Sequence, residues 1–158
     1  MVLVALLGLT GWFVLVGADT LWAVALGDLI RSTGAIPDGI PFAVAASPDW
    51  PNPVVAGDLL LSGVNALGPS GLAILQVLLV AVTFAWVARE EGSPGRRATV
   101  LVLVYLGALS PLVVARMPSL SLVPFVLLLT VLRADERAMS RRIWWVIPLL
   151  AVWGNLHG

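Results

Sequence analysis

Six side chains could carry chemistry in a sequence that offers few such residues. Asp19 directly follows an uncharged run, Met1–Ala18. A carboxylate there can cap a helix by accepting from backbone N–H groups, or act as a general base at a partly desolvated surface. Arg116 alone interrupts the otherwise uncharged stretch Ala98–Leu132. Its guanidinium can snorkel to a membrane interface, or hold a phosphate through two parallel hydrogen bonds. Asn155 and His157 stand in the segment WGNLHG. They form either a polar interfacial tip or a hydrogen-bonding pair for a substrate, and His157 can also move a proton near neutral pH. Trp22 comes three residues after Asp19. Asp58 opens a polar stripe with Ser62 and Asn65, at i, i+4 and i+7.

The composition sets the medium in which these groups work. Of 158 residues 59% are hydrophobic and only 11% charged, and the mean hydropathy is +1.00. A soluble globular chain has about 25% charged and about 45–50% apolar residues. Nine arginines balance nine acids and lysine is absent, so no net field draws the chain to nucleic acid. Cysteine is absent and His157 is the one histidine, which excludes a disulfide framework, a thiolate nucleophile and a histidine metal cluster. No glycine-rich phosphate loop occurs. The chain reads as all-α and membrane-embedded, a single polytopic domain over residues 1–158.

The uncharged runs predict five spans, at about 1–18, 70–88, 98–115, 117–132 and 143–158, against the 17–25 residues that a crossing helix needs. Gly68-Pro69-Ser70-Gly71 breaks the long run Leu59–Ala88. Arg116-Met117-Pro118-Ser119 turns the next into a hairpin, because 35 continuous helical residues would run about 52 Å. Seven arginines (89, 96, 97, 133, 137, 141 and 142) fall in the two loops after spans two and four, and two, Arg31 and Arg116, on the other side. By the positive-inside rule the N-terminus is cytoplasmic, while the loop 19–69 and the C-terminus are exterior. No cationic segment precedes the first apolar run, so it is expected to be retained rather than cleaved as a signal.

The outer loop is predicted to carry two juxtamembrane helices. In Thr20–Thr33 an apolar side with Trp22, Leu26, Leu29 and Ile30 faces lipid, while Asp28, Arg31 and Ser32 face water, and Gly34 ends the helix. Val54–Leu67 follows Asn52 as N-cap and Pro53 at the first helical position. Gln76 and Thr83, inside the second span, are expected to hydrogen-bond to neighbouring helices. On this topology Asp19, Trp22, Asp58, Arg116, Asn155 and His157 all lie at one membrane face.

In this order (an Asp after the first span, Trp22, GDLIRSTGAIP, Trp50-Pro51-Asn52 and WGNLHG) the chain resembles a group of bacterial polytopic proteins related to the GT-C glycosyltransferases. WGNLHG resembles the group's W-x-N-x-H-G, and Trp50-Pro51-Asn52 its W-x-N. Val54 and Val55 depart from an acid and an aromatic usual in the group, and Arg116-Met117-Pro118 from its Arg-Pro or Arg-x-Gln. The resemblance implies an N-terminal portion of a longer enzyme that uses a polyprenyl-phosphate sugar at the outer face. Asp19 matches the acidic residue of the first outer loop, which serves there as catalytic base or metal ligand. Trp22, Asp58, Arg116, Asn155 and His157 would then bind sugar, lipid or phosphate. No soluble cofactor is implied, although a divalent metal at Asp19 fits the pattern. The partners implied are membrane lipid and the lipid-linked sugar, and no nucleic acid. The alternative is a non-catalytic membrane protein, an assembly subunit or a transporter-like chain. The sparse polar content of the span interiors disfavours transport.

Overall fold

The computed structural model describes residues 1–158 apart from Ala46, Pro69, Glu91 and Gly158. Among the described residues eight α-helices form: α1 Val2–Phe13, α2 Ala18–Thr33, α3 Val55–Asn65, α4 Gly71–Glu90, α5 Pro94–Gly107, α6 Leu109–Val113, α7 Leu122–Arg137 and α8 Val146–Leu156. Two 3-10 turns, Met117–Ser121 and Arg141–Trp145, lead into α7 and α8. Two short strands, β1 Leu15–Val16 and β2 Val114–Ala115, pair in parallel, with Leu15 opposite Val114 and Val16 opposite Ala115. The protein is all-α apart from this contact.

Three prolines explain where the apolar runs break. Pro111, Pro124 and Pro148 each occupy the third position of a helix, in α6, α7 and α8. A proline is tolerated in the first turn, where the N–H has no intrahelical acceptor, but it clashes with the carbonyl four residues back. The predicted third span is therefore not one helix. Pro111 forces a break at Ala108, and the run divides into α5 and α6. Gln76 of α4 repairs part of the damage, donating from Nε2 to the carbonyls of Leu112 at 2.9 Å and Pro111 at 3.2 Å. Thr83 makes no such bridge, since its hydroxyl donates to Leu79 in its own helix.

The first run also departs from a continuous helix to Ala18. Helix α1 ends at Phe13, and Val14 turns extended, a conformation suited to the β-branched Val14 and Val16. The charged connections are shorter than the sequence suggests, because α4 reaches Glu90, α5 starts at Pro94 and α7 reaches Arg137. The predicted break before the second span falls partly on Pro69, outside the described residues; Gly68 itself takes a positive φ of 116°.

Two helical stretches, Gly71–Glu90 and Met117–Arg137, are long and apolar enough to cross a membrane. Helices α1, α5 and α8 are shorter, with 12, 14 and 11 residues. On α4 a stripe of Leu72, Gln76, Val80 and Phe84 is buried while Ile74, Leu78 and Val82 on the other side are about half exposed. One core gathers Leu6, Val80, Phe84, Leu101, Tyr105 and Leu112. A second gathers Ala23, Val24, Leu61, Leu72 and Leu120 and carries the loop helices.

Helix α2 packs chiefly against α3. Gly27 makes this possible, because a Cβ at that position would stand 2.2 Å from the Asp58 carbonyl oxygen. Leu26 and Ile30, expected to face lipid, are buried in the protein. Asp28 and Arg31 are exposed, as expected, and also meet the Ser62 hydroxyl, which donates to Asp28 at 2.6 Å and accepts from Arg31 at 3.3 Å. As expected, Gly34 ends the helix, in the left-handed region with φ 69° and its N–H on the Ile30 carbonyl.

Candidate functional site

The β1–β2 pairing decides where Asp19 and Arg116 meet. Each follows its strand closely, and Gly17 N–H donates to the Ala115 carbonyl at 2.9 Å, as does the Thr20 hydroxyl. Arg116 Nε then donates to the Asp19 carboxylate, at 3.2 Å to Oδ2 and 3.4 Å to Oδ1. Gly17 lies directly beneath this pair. A Cβ there would be 2.6 Å from Asp19 Oδ1 and 3.1 Å from Arg116 Cγ. The pair remains open to solvent, with side chains 55% and 35% exposed for Arg116 and Asp19. Asp19 is not a cap. The N-cap of α2 is Gly17, and Asp19 sits in the first turn, where its charge is favourable to the helix dipole.

Asp19, Trp22 and Asp58 line one groove of about 370 Å³ between α2, α3 and Met117, with Leu26 and Val54 as apolar walls. Asp58 is 1% exposed. Burial pushes its carboxyl above the ordinary value of 3.8, opposed by the hydrogen bond that Asn52 Nδ2 donates to Oδ2 at 2.8 Å. Asn52 is not the N-cap of α3. That helix starts at Val55, and the Asn52 side-chain oxygen accepts from Val54 N–H while its amide holds Asp58. Trp22, at the rim, meets Phe42 edge to face with ring centres 6.3 Å apart. Phe42 has φ 65°, an uncommon conformation for a bulky side chain. Arg116 opens on an adjoining groove of about 210 Å³, shared with Ser110, Pro118 and Ser119. Comparison with protein-family models, curated proteins and solved structures gives no match.

The WGNLHG segment makes contacts of another kind. Asn155 Oδ1 accepts from Ala56 N–H at 2.9 Å, satisfying a free donor in the first turn of α3. Trp153 Nε1 donates to Ser121 at 2.9 Å, and its ring meets Phe125 edge to face. The segment thus clamps α8 onto α3 and the start of α7. His157 is half-buried, and its backbone N–H bonds to the Trp153 carbonyl. Neither Asn155 nor His157 lines the groove with Asp19, Trp22 and Asp58.

Among the described residues no three His, Cys, Asp or Glu side chains gather as a metal site. The Asp19 oxygens already face a guanidinium, which competes with a metal for the same lone pairs. Asn52, read from the sequence as an N-cap and as part of a W-x-N motif, belongs to the site through Asp58, and Met117 and Gly17 join it without a functional signal of their own. Asn52 is six residues from Asp58, a spacing that means contact only once the chain turns at Pro53.

Proposed function

We propose that the chain is the membrane-embedded N-terminal part of a GT-C-like glycosyltransferase, which crosses the bilayer five times and works on a polyprenyl-phosphate sugar at its outer face. The observation that carries this reading is the single groove shared by Asp19, Trp22 and Asp58, with the Arg116 guanidinium on the Asp19 carboxylate. Two carboxyl groups of unlike environment beside an aromatic ring and a cation suit a phosphate-linked sugar. Arg116 uses Nε on Asp19, and its Nη end makes no hydrogen bond among the described residues. That end is the edge that grips phosphate.

The ion pair gives this site an order of events. Lipid phosphate takes the open Nη end of Arg116, draws the guanidinium off Asp19 and so releases the carboxylate. Asp19 then accepts the proton of the acceptor hydroxyl as that oxygen attacks the anomeric carbon. The bond from the anomeric carbon to the phosphate oxygen breaks, and its electron pair stays on the phosphate held by Arg116. Trp22 stacks on sugar or lipid, and Asp58, buried and held by Asn52, hydrogen-bonds the sugar.

The test is transfer from a polyprenyl-phosphate sugar by the full-length protein in vesicles. Asp19→Asn should insert normally and lose about two to four orders of magnitude in rate. Arg116→Lys keeps the charge without the fork and should weaken donor binding. Normal turnover in both variants refutes the catalytic reading. A non-catalytic subunit is the second reading, favoured by the Asn155 and Trp153 clamp, which ties WGNLHG to the fold rather than to the groove. In that case the same variants change neither abundance nor any sugar transfer.

A further inference from the structure

The opposite ends of α7 and α8, away from the carboxylate groove, form a second feature with a different chemistry. Leu127 and Val131 of α7 face Pro148, Leu149 and Val152 of α8 across an almost wholly apolar slot of about 390 Å³, with Trp145 and Thr130 also on its wall. Arg142 is three residues before Trp145 in the 3-10 turn Arg141–Trp145. Side chains three apart eclipse in such a turn, so Arg142 shares the face of Trp145. Arg137 is seven residues past Thr130 on α7, and so on the same face two turns on.

Among the described residues the side chains of Arg137, Arg141 and Arg142 make no ion pair or hydrogen bond. The neighbouring acids are committed elsewhere in two cases. Glu90 pairs with Arg133, which also lies over the Trp86 ring, and Asp135 accepts from Ser140 N–H. Glu136 is exposed at the end of α7. Trp144 and Trp145 are both about two-thirds exposed beside these arginines.

An apolar slot with unpaired guanidinium groups and exposed indoles at one end matches the two halves of a phospholipid. We propose that this slot holds an anionic phospholipid of the bilayer, with an acyl chain between α7 and α8 and the headgroup phosphate on Arg137 and Arg142. The site lies at the other membrane face from the proposed transfer reaction and is independent of it; it requires only that the chain be membrane-embedded. Chemistry selects the occupant: an acyl chain suits the apolar walls, and a phosphate suits the unpaired guanidinium groups at the same end.

The experiment places the full-length protein in nanodiscs of phosphatidylcholine and phosphatidylglycerol in equal parts and identifies retained lipid by native mass spectrometry. Phosphatidylglycerol should be retained over phosphatidylcholine. The double variant Arg137→Gln, Arg142→Gln should reduce that preference by about thirtyfold, at about five- to sixfold per interfacial charge. Arg31→Gln, a single charge removed at the other face, should leave it intact. In the unaltered chain a photoreactive acyl chain should crosslink to residues 127–131 and 148–152. Leu149→Trp, which fills the slot, should abolish those crosslinks. Equal retention of both lipids, an equal fall in Arg31→Gln, crosslinks outside these segments, or a second protein copy in the slot each overturns the proposal.

Discussion

Asp58 and Asp19 show how two carboxyl groups on one groove come to differ. Asp58 is buried and hydrogen-bonded by the Asn52 amide, whereas Asp19 is partly solvated and faces a guanidinium. Because burial raises the folded-state pKa of Asp58, the folded chain binds its proton more tightly than the unfolded chain does. This contribution to stability is fully present below about 3.8 and is lost as pH rises through the raised value. Unfolding measured in detergent should therefore show the chain losing stability upward through that window, and Asp58→Asn should flatten the slope. A slope that is unchanged in the variant would assign the effect to another group. The Asp19–Arg116 pair is too exposed to matter much for folding, and pairs of this kind contribute about 0–1 kcal/mol. Arg116→Gln should accordingly shift the unfolding midpoint little, so that a loss of function in it reports on the groove.

At the scale of elements, α3 depends on a distant segment for its first turn. Its own N-cap position is Val54, which offers no acceptor, and Asn155 supplies one from α8. Asn155→Ala should cost about 1 kcal/mol, the usual worth of a lost cap. It should also speed hydrogen exchange at Ala56, and Asn155→Asp should restore protection. Unaltered exchange in Asn155→Ala, together with weaker substrate binding, would return Asn155 to the role of a ligand. The α2–α3 crossing is equally exacting. Gly27→Val places atoms against the Asp58 backbone and Ser62, which should cost about 1–3 kcal/mol or separate the helices. That variant should also disturb the groove through the Asp58 backbone, without altering a side chain that lines it.

For the whole molecule the prediction is one of sidedness. Ile74, Leu78 and Val82 on α4 and Phe125 and Leu127 on α7 leave broad apolar surface outside the cores, more than a soluble monomer ordinarily shows. The seven-to-two split of the arginines sets the expected sidedness. A reporter fused after Gly95 should read cytoplasmic and one fused near Pro48 exterior. The reverse pattern would move the Asp19 groove to the inner face and the slot between α7 and α8 to the outer one. Lipid-accessibility labels along α2 should find Trp22 exposed and Leu26 shielded, as the packing against α3 requires. Uniform exposure along the helix would mean that α2 is undocked.

Composition and periodicity by themselves determined an all-helical, apolar chain, a long helix over about 70–88 that the structure extends to Glu90, a helical stretch from Met117, and the end of α2 at Gly34. These are local matters: side-chain transfer energies, a left-handed glycine and the position of a proline act within a few residues. The sequence also drew attention to Asp19, Trp22 and Asp58, which do share a groove. It could not show that β1 and β2 pair, because the register of strands about a hundred residues apart depends on the packing around them. Only that pairing brings Arg116 onto Asp19. Nor could it show that Asn155 meets the first turn of α3, since an amide in a polar motif looks the same whether it meets a sugar or the bare first turn of another helix. That choice belongs to the tertiary structure, where an unpaired backbone donor near the end of α8 must find an acceptor and Asn155 is the one within reach.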